Sequence, residues 1–307
     1  MAFPEDQPSQ LFDRRAWRAH RERAARLGGD DFLFAEVARR LIDRLDDVGR
    51  QFHRALDLGA RGGALSRALA QRPGTGFVVS AEPSPAFLAR ARGLRLAADP
   101  ELLPLRVASF DLIVSNLVLH WVGDLPGALV QLRRALAPDG FFLAAMLGGR
   151  TLAELRSVLI EAELAEEGGA SPRVSPMAEL ADAAHLLQRA GFAMPVADGE
   201  SVTVSYADAL ALMRDLRLMG ETNALLARRR TPLRRRTLAR AAALYGERFG
   251  GEEGRISATF EILFLAGWAP HPGQPKPLKP GSAKRRLAEA LGTVEIPAGD
   301  RARPRRR

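Results

Sequence analysis

Asp57 stands two residues ahead of the first glycine in Leu56-Asp57-Leu58-Gly59-Ala60-Arg61-Gly62-Gly63, a run that follows a short apolar segment and opens onto a helical pattern. A strand, a Gly-rich turn and a helix N-terminus let backbone N–H groups approach a ligand closely. The spacing is not the G-x-G-x-x-G of a dinucleotide loop. An acid before the first Gly suits a ligand with an amino acid moiety, whose ammonium needs a carboxylate. Glu82, 25 residues further on, closes a second apolar segment, Val78-Val79-Ser80-Ala81. A carboxylate at such a strand end accepts both hydroxyls of a ribose. The ordered pair, Asp57 then Glu82, points to a ligand with an amino acid end and a nucleoside end.

The elements that must position these residues are legible as alternating patterns. Short apolar runs at Ala55–Leu58, Phe77–Ala81, Phe110–Val114 and Phe141–Leu147 end in Gly, Asp, Glu or Asn, and helical patterns at Ala64–Ala70, Pro85–Leu94 and Leu125–Leu136 lie between them. Such alternation predicts a mostly parallel sheet with helices on both faces, with ligands at the carboxyl ends of the strands. Residues 1–50 form a helical segment, with Phe32, Ala35, Val37, Ala38, Leu41, Ile42 and Leu45 at helical spacing. The catalytic domain is expected over 51–269. Helical insertions at about 151–195 and 206–250 flank a strand at Ser201–Tyr206, and Thr259–Trp268 returns to strand composition. Residues 270–307 read as a basic, Pro/Gly-rich, disordered tail.

Composition removes several classes of chemistry. The 307 residues include no Cys, so thiolate nucleophiles, disulfides, iron–sulfur clusters and Cys-based zinc sites are excluded. Of the net charge of +9, residues 271–307 account for +7, leaving +2 for the rest. The basic balance therefore describes the tail. The run Arg228-Arg229-Arg230-Thr231-Pro232-Leu233-Arg234-Arg235-Arg236 lacks the aromatic stacking set of a nucleic-acid groove, and an acidic partner or a solvated helix end explains it as well. No apolar run reaches the ~18 residues of a membrane span. The start, Met1-Ala-Phe-Pro-Glu-Asp, lacks the order of a signal or transit peptide. The chain is expected to be cytoplasmic, meeting a membrane only through a partner, with no specific nucleic-acid target.

With these motifs in place the chain resembles the class I S-adenosylmethionine-dependent methyltransferases, an α/β, Rossmann-like seven-stranded fold, here with a helical cap. Asp57, Gly59 and Gly63 match the first motif of that fold, with Gly62 beside them, and Glu82 matches the acid that holds the ribose. Asp99, in Ala98-Asp99-Pro100-Glu101, matches the acid near the adenine amino group. Ser109–Asn116 matches the fourth strand, whose end at Asn116 borders the methionine part and the substrate. One departure stands out: the family's middle loop glycine is Arg61 here, which either turns outward or reshapes the site.

Further motifs narrow the resemblance. They are Leu11-Phe12-Asp13-Arg14, His20–Ala25, His120-Trp121 with Asp124-Leu125-Pro126, Gly148–Arg156, Gly168–Arg173, Asp215–Asn223 and Ala266-Gly267-Trp268. Together they are similar to assembly factor 5 of the NADH dehydrogenase (ubiquinone) 1 alpha subcomplex and its bacterial relatives, a family related to malonyl-acyl carrier protein O-methyltransferase. The resemblance implies S-adenosyl-L-methionine as cofactor and a protein substrate in respiratory complex I assembly. In the mitochondrial member it implies hydroxylation of an arginine. An O-methyltransferase on a small molecule or acyl-carrier protein, and a noncatalytic assembly chaperone with Arg61 blocking the loop, stay open beside it.

Candidate bases near the site mouth are His120, Asp124 and Tyr206, although His120-Trp121 reads better as an element packing beside the cofactor. Asp215, Arg217 and Glu221, in a segment expected on a helix, could bind a guanidinium or its carrier protein. Alternatively, Leu216, Met219 and Leu225 are a packing stripe and the charges a solvated face. His20-x-Glu22 has the local spelling of an iron site, but no second His pairs with it.

Overall fold

Asp13 opens the first helix, accepting a hydrogen bond from the Ala16 N–H at 2.9 Å, as an N-cap acid does. Helix α1 (Arg14–Leu27) buries Trp17, Arg21, Ala24 and Ala25. Helix α2 (Phe32–Asp46) buries Leu33, Phe34, Val37, Leu41 and Leu45, the stripe that its periodicity predicts. This computed structural model describes residues 11–29, 31–251, 253–275, 282, 285–294 and 299.

Strands and helices then alternate: β1 (Arg54–Leu58), α3 (Ala64–Gln71), β2 (Phe77–Ala81), α4 (Pro85–Leu88), β3 (Leu94–Leu96), β4 (Phe110–Asn116), α5 (Leu125–Ala135) and β5 (Leu136–Leu147). A 3-10 turn, Leu119–Trp121, lies between β4 and α5. The cap follows as α6 (Ala153–Glu167), α7 (Leu180–Arg189), β6 (Ala193–Tyr206), α8 (Ala209–Met219), α9 (Arg235–Phe249) and β7 (Ile256–Trp268). The seven strands lie in the order β3-β2-β1-β4-β5-β7-β6. Pairing is parallel as far as β5; β7 then runs antiparallel to β5, and β6 antiparallel to β7.

Both faces of the sheet are covered, so the central strands carry apolar residues at every position rather than alternately. Leu112, Val114, Phe141 and Leu143 join the cluster under α2, α3, α6 and α8. Ile113, Phe142, Ala144 and Met146 join the opposite one, under α5 and α7. The carboxyl ends of β1, β2, β4 and β5 therefore share one edge of the sheet, the ligand edge of open α/β folds.

Two of the expected elements differ most from the sequence reading. Strand β6 begins at Ala193, eight residues before the expected start, and α4 ends at Leu88 instead of Leu94. An edge strand paired only with β7 needs no apolar run, and Gly93, at φ +82°, turns the chain after α4. The Arg run meets the acidic end of α6, where Arg229 pairs with Glu167 and Arg236 with Glu166 at 3.0 Å, and the cap of α1, where Arg228 pairs with Asp13 at 2.9 Å. Met1–His271 and Pro272–Arg307 form two compact units. In the second, a short helix, α10 (Leu287–Leu291), occupies part of the tail read as disordered, while 276–281, 283–284, 295–298 and 300–307 lie outside the described residues. Among the described residues no helix is long and apolar enough to cross a membrane.

Candidate active site

The turn after β1 brings backbone close to backbone. Gly59 sits at φ +78°, and a Cβ there would lie 2.6 Å from the Val118 side chain. Gly63, at φ +73°, caps α3 and packs against Ala91. Gly62 is freer: a Cβ would meet only Arg90, at 3.9 Å. Asp57 is wholly buried; its Oδ2 accepts from Ser66 Oγ at 2.6 Å, and Ser66 lies 2.6 Å from Ser80 Oγ. Oδ1 has no partner among the described residues. Burial raises the Asp57 carboxyl to about 7, the Ser66 bonds pulling it down and Glu82 pushing it further up.

Glu82 is also fully buried, but every lone pair is used. Arg21 donates to it bidentately, Nε to Oε1 at 3.0 Å and Nη2 to Oε2 at 2.6 Å. The backbone N–H groups of Ser84 and Arg61 donate to Oε1 and Oε2, both at 3.0 Å. Asp99 repeats the arrangement. Arg14 donates through Nε at 3.3 Å and through Nη2, Arg18 donates at 2.7 Å, and the Glu101 N–H donates at 3.0 Å. Burial works to raise Asp99, but Arg18, the Glu101 N–H and Arg14 outweigh it and hold it below the ordinary carboxylate range.

Arg61 turns inward. Its φ of +46° places it in the left-handed region, where the family glycine is at ease. Its guanidinium lies 3.8 Å from the Phe34 ring centre and 4.4 Å from that of Phe87. It donates to Met219 O at 2.7 Å and pairs with Asp31. Arg61 thus ties the glycine loop to α2 and to the end of α8.

At the end of β4, Asn116 donates to Phe34 O at 2.9 Å, and its buried Oδ1 has no partner among the described residues. Beyond it, the buried 3-10 turn presents His120 and Trp121 to one carboxylate oxygen of Glu221. His120 Nε2 lies 3.0 Å from Oε2, and Trp121 Nε1 donates to it at 2.8 Å. Glu221 Oε1 has no partner among the described residues. Burial would raise this carboxyl; His120, and behind it Arg21 and Arg61, outweigh burial and lower it. Glu221 does not lie on a helix, contrary to the sequence reading. Helix α8 stops at Met219, and Gly220 at φ +80° turns Glu221 back toward the sheet.

Glu221 and Trp121 line a cavity of about 580 Å³ beneath the cap. Its apolar wall includes Leu155, Leu159, Met213 and Phe260, and Arg23, Arg173 and Arg217 supply its cations. Arg173 is neutralised by Glu163, whereas the Arg23 Nε has no partner among the described residues. None of Asp57, Gly59, Gly62, Gly63, Glu82, Asp99 and Asn116 lines this cavity.

The other candidate bases are engaged elsewhere. Asp124 is an exposed cap on α5, accepting from Gly127 N–H at 2.9 Å. Tyr206 donates to Asp215 at 2.8 Å, and burial plus that carboxylate raise its hydroxyl pKa, so neither is placed as a base at this cavity. His20 and Glu22 diverge: His20 Nδ1 lies 3.0 Å from Thr222 O, while Glu22 accepts from Ser84 Oγ at 2.7 Å. Among the described residues no group of three His, Asp or Glu could hold a metal.

The methyltransferase domain model matches residues 56–144, from β1 to the middle of β5. A Danio rerio protein named arginine-hydroxylase NDUFAF5, mitochondrial, is 40% identical over 295 residues, covering 94% of this chain and 92% of that protein. The chain belongs to the NDUFAF5 family. The Homo sapiens NDUFAF5 is likewise 40% identical, over 92% of this chain and 84% of its own length. A malonyl-[acyl-carrier protein] O-methyltransferase of Halorhodospira halophila is 38% identical over 85% of this chain and 89% of that protein. In fold, a Bacillus halodurans methyltransferase structure superposes with a TM-score of 0.53 at 15% identity, over 75% of this chain and 99% of that one. The chain thus has the Rossmann-like seven-stranded methyltransferase fold, whose cofactor is S-adenosylmethionine.

The residues fit that cofactor chemically. Gly59 keeps the backbone approach open, and Asp57 and Asn116 each keep an acceptor oxygen without a partner among the described residues. Glu82 and Asp99 are further acids, Glu82 accepting from the Arg61 N–H of the same turn. Arginines already fill Glu82 and Asp99, however. The sequence reading missed Arg14, Arg18 and Arg21, although they share one face of a helix at i, i+4 and i+7, the signal that would have found them. It missed Arg23 and Arg173 at the cavity too, where no local signal exists.

Proposed function

We propose that this NDUFAF5-family member is an S-adenosylmethionine-dependent, methyltransferase-fold enzyme that modifies an arginine of a protein partner during respiratory complex I assembly. The cofactor would be held by Asp57, Gly59, Gly62, Gly63, Glu82, Asp99 and Asn116, on a domain spanning about 51–269, and the work is done in the cytoplasm. When bound, it supplies an activated methyl group. The observation that supports the arginine is Glu221, a buried carboxylate with one oxygen fixed by His120 and Trp121 and the other without a partner, on the wall of the 580 Å³ cavity. A buried carboxylate oxygen without a partner suits a charge-assisted hydrogen bond from a guanidinium, and low dielectric strengthens the pair. Glu221 orients the guanidinium, and the apolar wall excludes water around it.

The test compares complex I peptides from a deletion strain by mass spectrometry, then from a strain carrying Glu221→Gln. An arginine peptide lighter by one oxygen atom in the deletion identifies hydroxylation, and one lighter by a methylene identifies methylation. Glu221→Gln should cut the modified fraction, with the rate falling roughly 10–100-fold, the loss of one charge-assisted bond. Unchanged peptides in the deletion strain would end the reading. A second reading rests on Arg23 and Arg217 at the same cavity: they suit an acyl carboxylate, as on an acyl-carrier protein. A methyl ester formed on an acyl-carrier substrate by the purified protein would select it.

A further inference from the structure

A carboxylate offers about four lone-pair positions to donors. Glu82 uses four, on Arg21 Nε, Arg21 Nη2 and the N–H groups of Ser84 and Arg61. Asp99 also uses four, on Arg14 twice, Arg18 and the Glu101 N–H. Ribose hydroxyls and an adenine amino group are donors, and neither acid has an acceptor position left for them. Backbone N–H groups at these turns are fixed by the loops themselves. The donors that can leave are side chains, and all of them come from α1.

We propose that α1 is an internal competitor for the adenosine part of the cofactor. Arg21 occupies Glu82, and Arg14 with Arg18 occupies Asp99, until an adenosyl ligand displaces them. This rests on the adenosylmethionine half of the function proposed above. The two holds differ in depth. Arg18 is 54% exposed and is released into water at little cost, whereas Arg21 is 1% exposed, lies on a fully buried acid and is held more firmly. Helix α1 is also anchored independently of these acids: Glu22 accepts from Ser84 Oγ and the Ala86 N–H, and His20 lies against Thr222 O. Displacement therefore requires the arginine side chains to swing, with the helix itself still tied at both sides.

When the competent state is a fraction of the population, apparent affinity falls by that fraction, so removing the competitor tightens binding by roughly 10–100-fold for a state populated at 1–10%. The experiment titrates S-adenosylhomocysteine calorimetrically into the full chain as wild type, Arg14→Gln/Arg18→Gln and Arg21→Met. Hydrogen exchange of residues 14–27 is followed with and without ligand. The expected result is tighter binding in both variants, larger in Arg21→Met, and faster exchange in α1 when wild type takes ligand. Equal or weaker binding in the folded variants, or exchange in α1 that slows on binding, would overturn the proposal and leave the cofactor reading standing. If Arg21→Met does not fold, Arg14→Gln/Arg18→Gln decides alone, because Arg18 is exposed and Arg14 only partly buried. No binding to any folded form at millimolar ligand would overturn both.

Discussion

The acids at the two ends of this site are satisfied in opposite ways. Facing α1, Glu82 and Asp99 each accept from four donors. Under the cap, Glu221 accepts on one oxygen and leaves the other bare. A saturated carboxylate is a structural fastener until something removes its partner, whereas a half-used one is ready for a ligand. Glu82 and Glu221, both buried glutamates, thus differ in the count of donors that they accept.

Breaking the buried pair gives the largest effect. Arg21→Met or Glu82→Gln alone should destabilise the fold by about 3–5 kcal/mol, because each strands or weakens a charge in the interior. The double variant should cost clearly less than the two singles added, as measured by urea denaturation. Additive costs would show that Arg21 and Glu82 are not coupled and would dissolve the contrast with Glu221. The glycine loop sharpens it at intermediate scale. Gly59→Ala forces a Cβ to 2.6 Å from Val118 at a positive φ and should cost about 2 kcal/mol or more, while Gly62→Ala should stay within about 0.5 kcal/mol. Equal melting temperatures for the two would remove the close approach from the argument.

A further effect is a pH dependence at Asp57. Its carboxyl is raised in the folded chain to about 7, so the folded state binds a proton that the unfolded chain has released. The stabilisation is complete below the unfolded value near 4 and is lost as pH rises through about 7. Asp57→Asn should remove that slope: relative to the variant, wild type should lose stability between pH 4 and 7. Parallel stability curves for the two proteins would contradict a protonated Asp57.

The order Asp57, glycine loop, Glu82 was readable because parallel strands buried on both faces are uninterrupted apolar runs, and their ends must carry the polar residues. Strand β2 begins and ends where its run does, Phe77–Ala81. The first half of β6 was not readable: Ala193–Glu200 includes Pro195, Asp198 and Gly199, which an edge strand tolerates and a propensity argument rejects. The donors on Glu82 were half readable: the stripe of Arg14, Arg18 and Arg21 is a local pattern, but Arg21 lies 61 residues from Glu82 and their partnership is made by tertiary packing. Glu221 falls between these cases. The chain around it looks helical, and only Gly220 signals that the helix stops one residue earlier, turning an apparent surface charge into a buried one.

Helix α1 touches both ends of the site. One face grips Glu82 and Asp99, while His20 and Arg23 reach Thr222, the residue after Glu221, and Phe12 bridges to Leu225 just beyond. A change in how firmly this helix is held would therefore be felt at Glu221. Thermodynamic reciprocity then requires that a substrate settling against Glu221 alter cofactor affinity by the same factor. The coupling between the two ligands becomes a property of one helix.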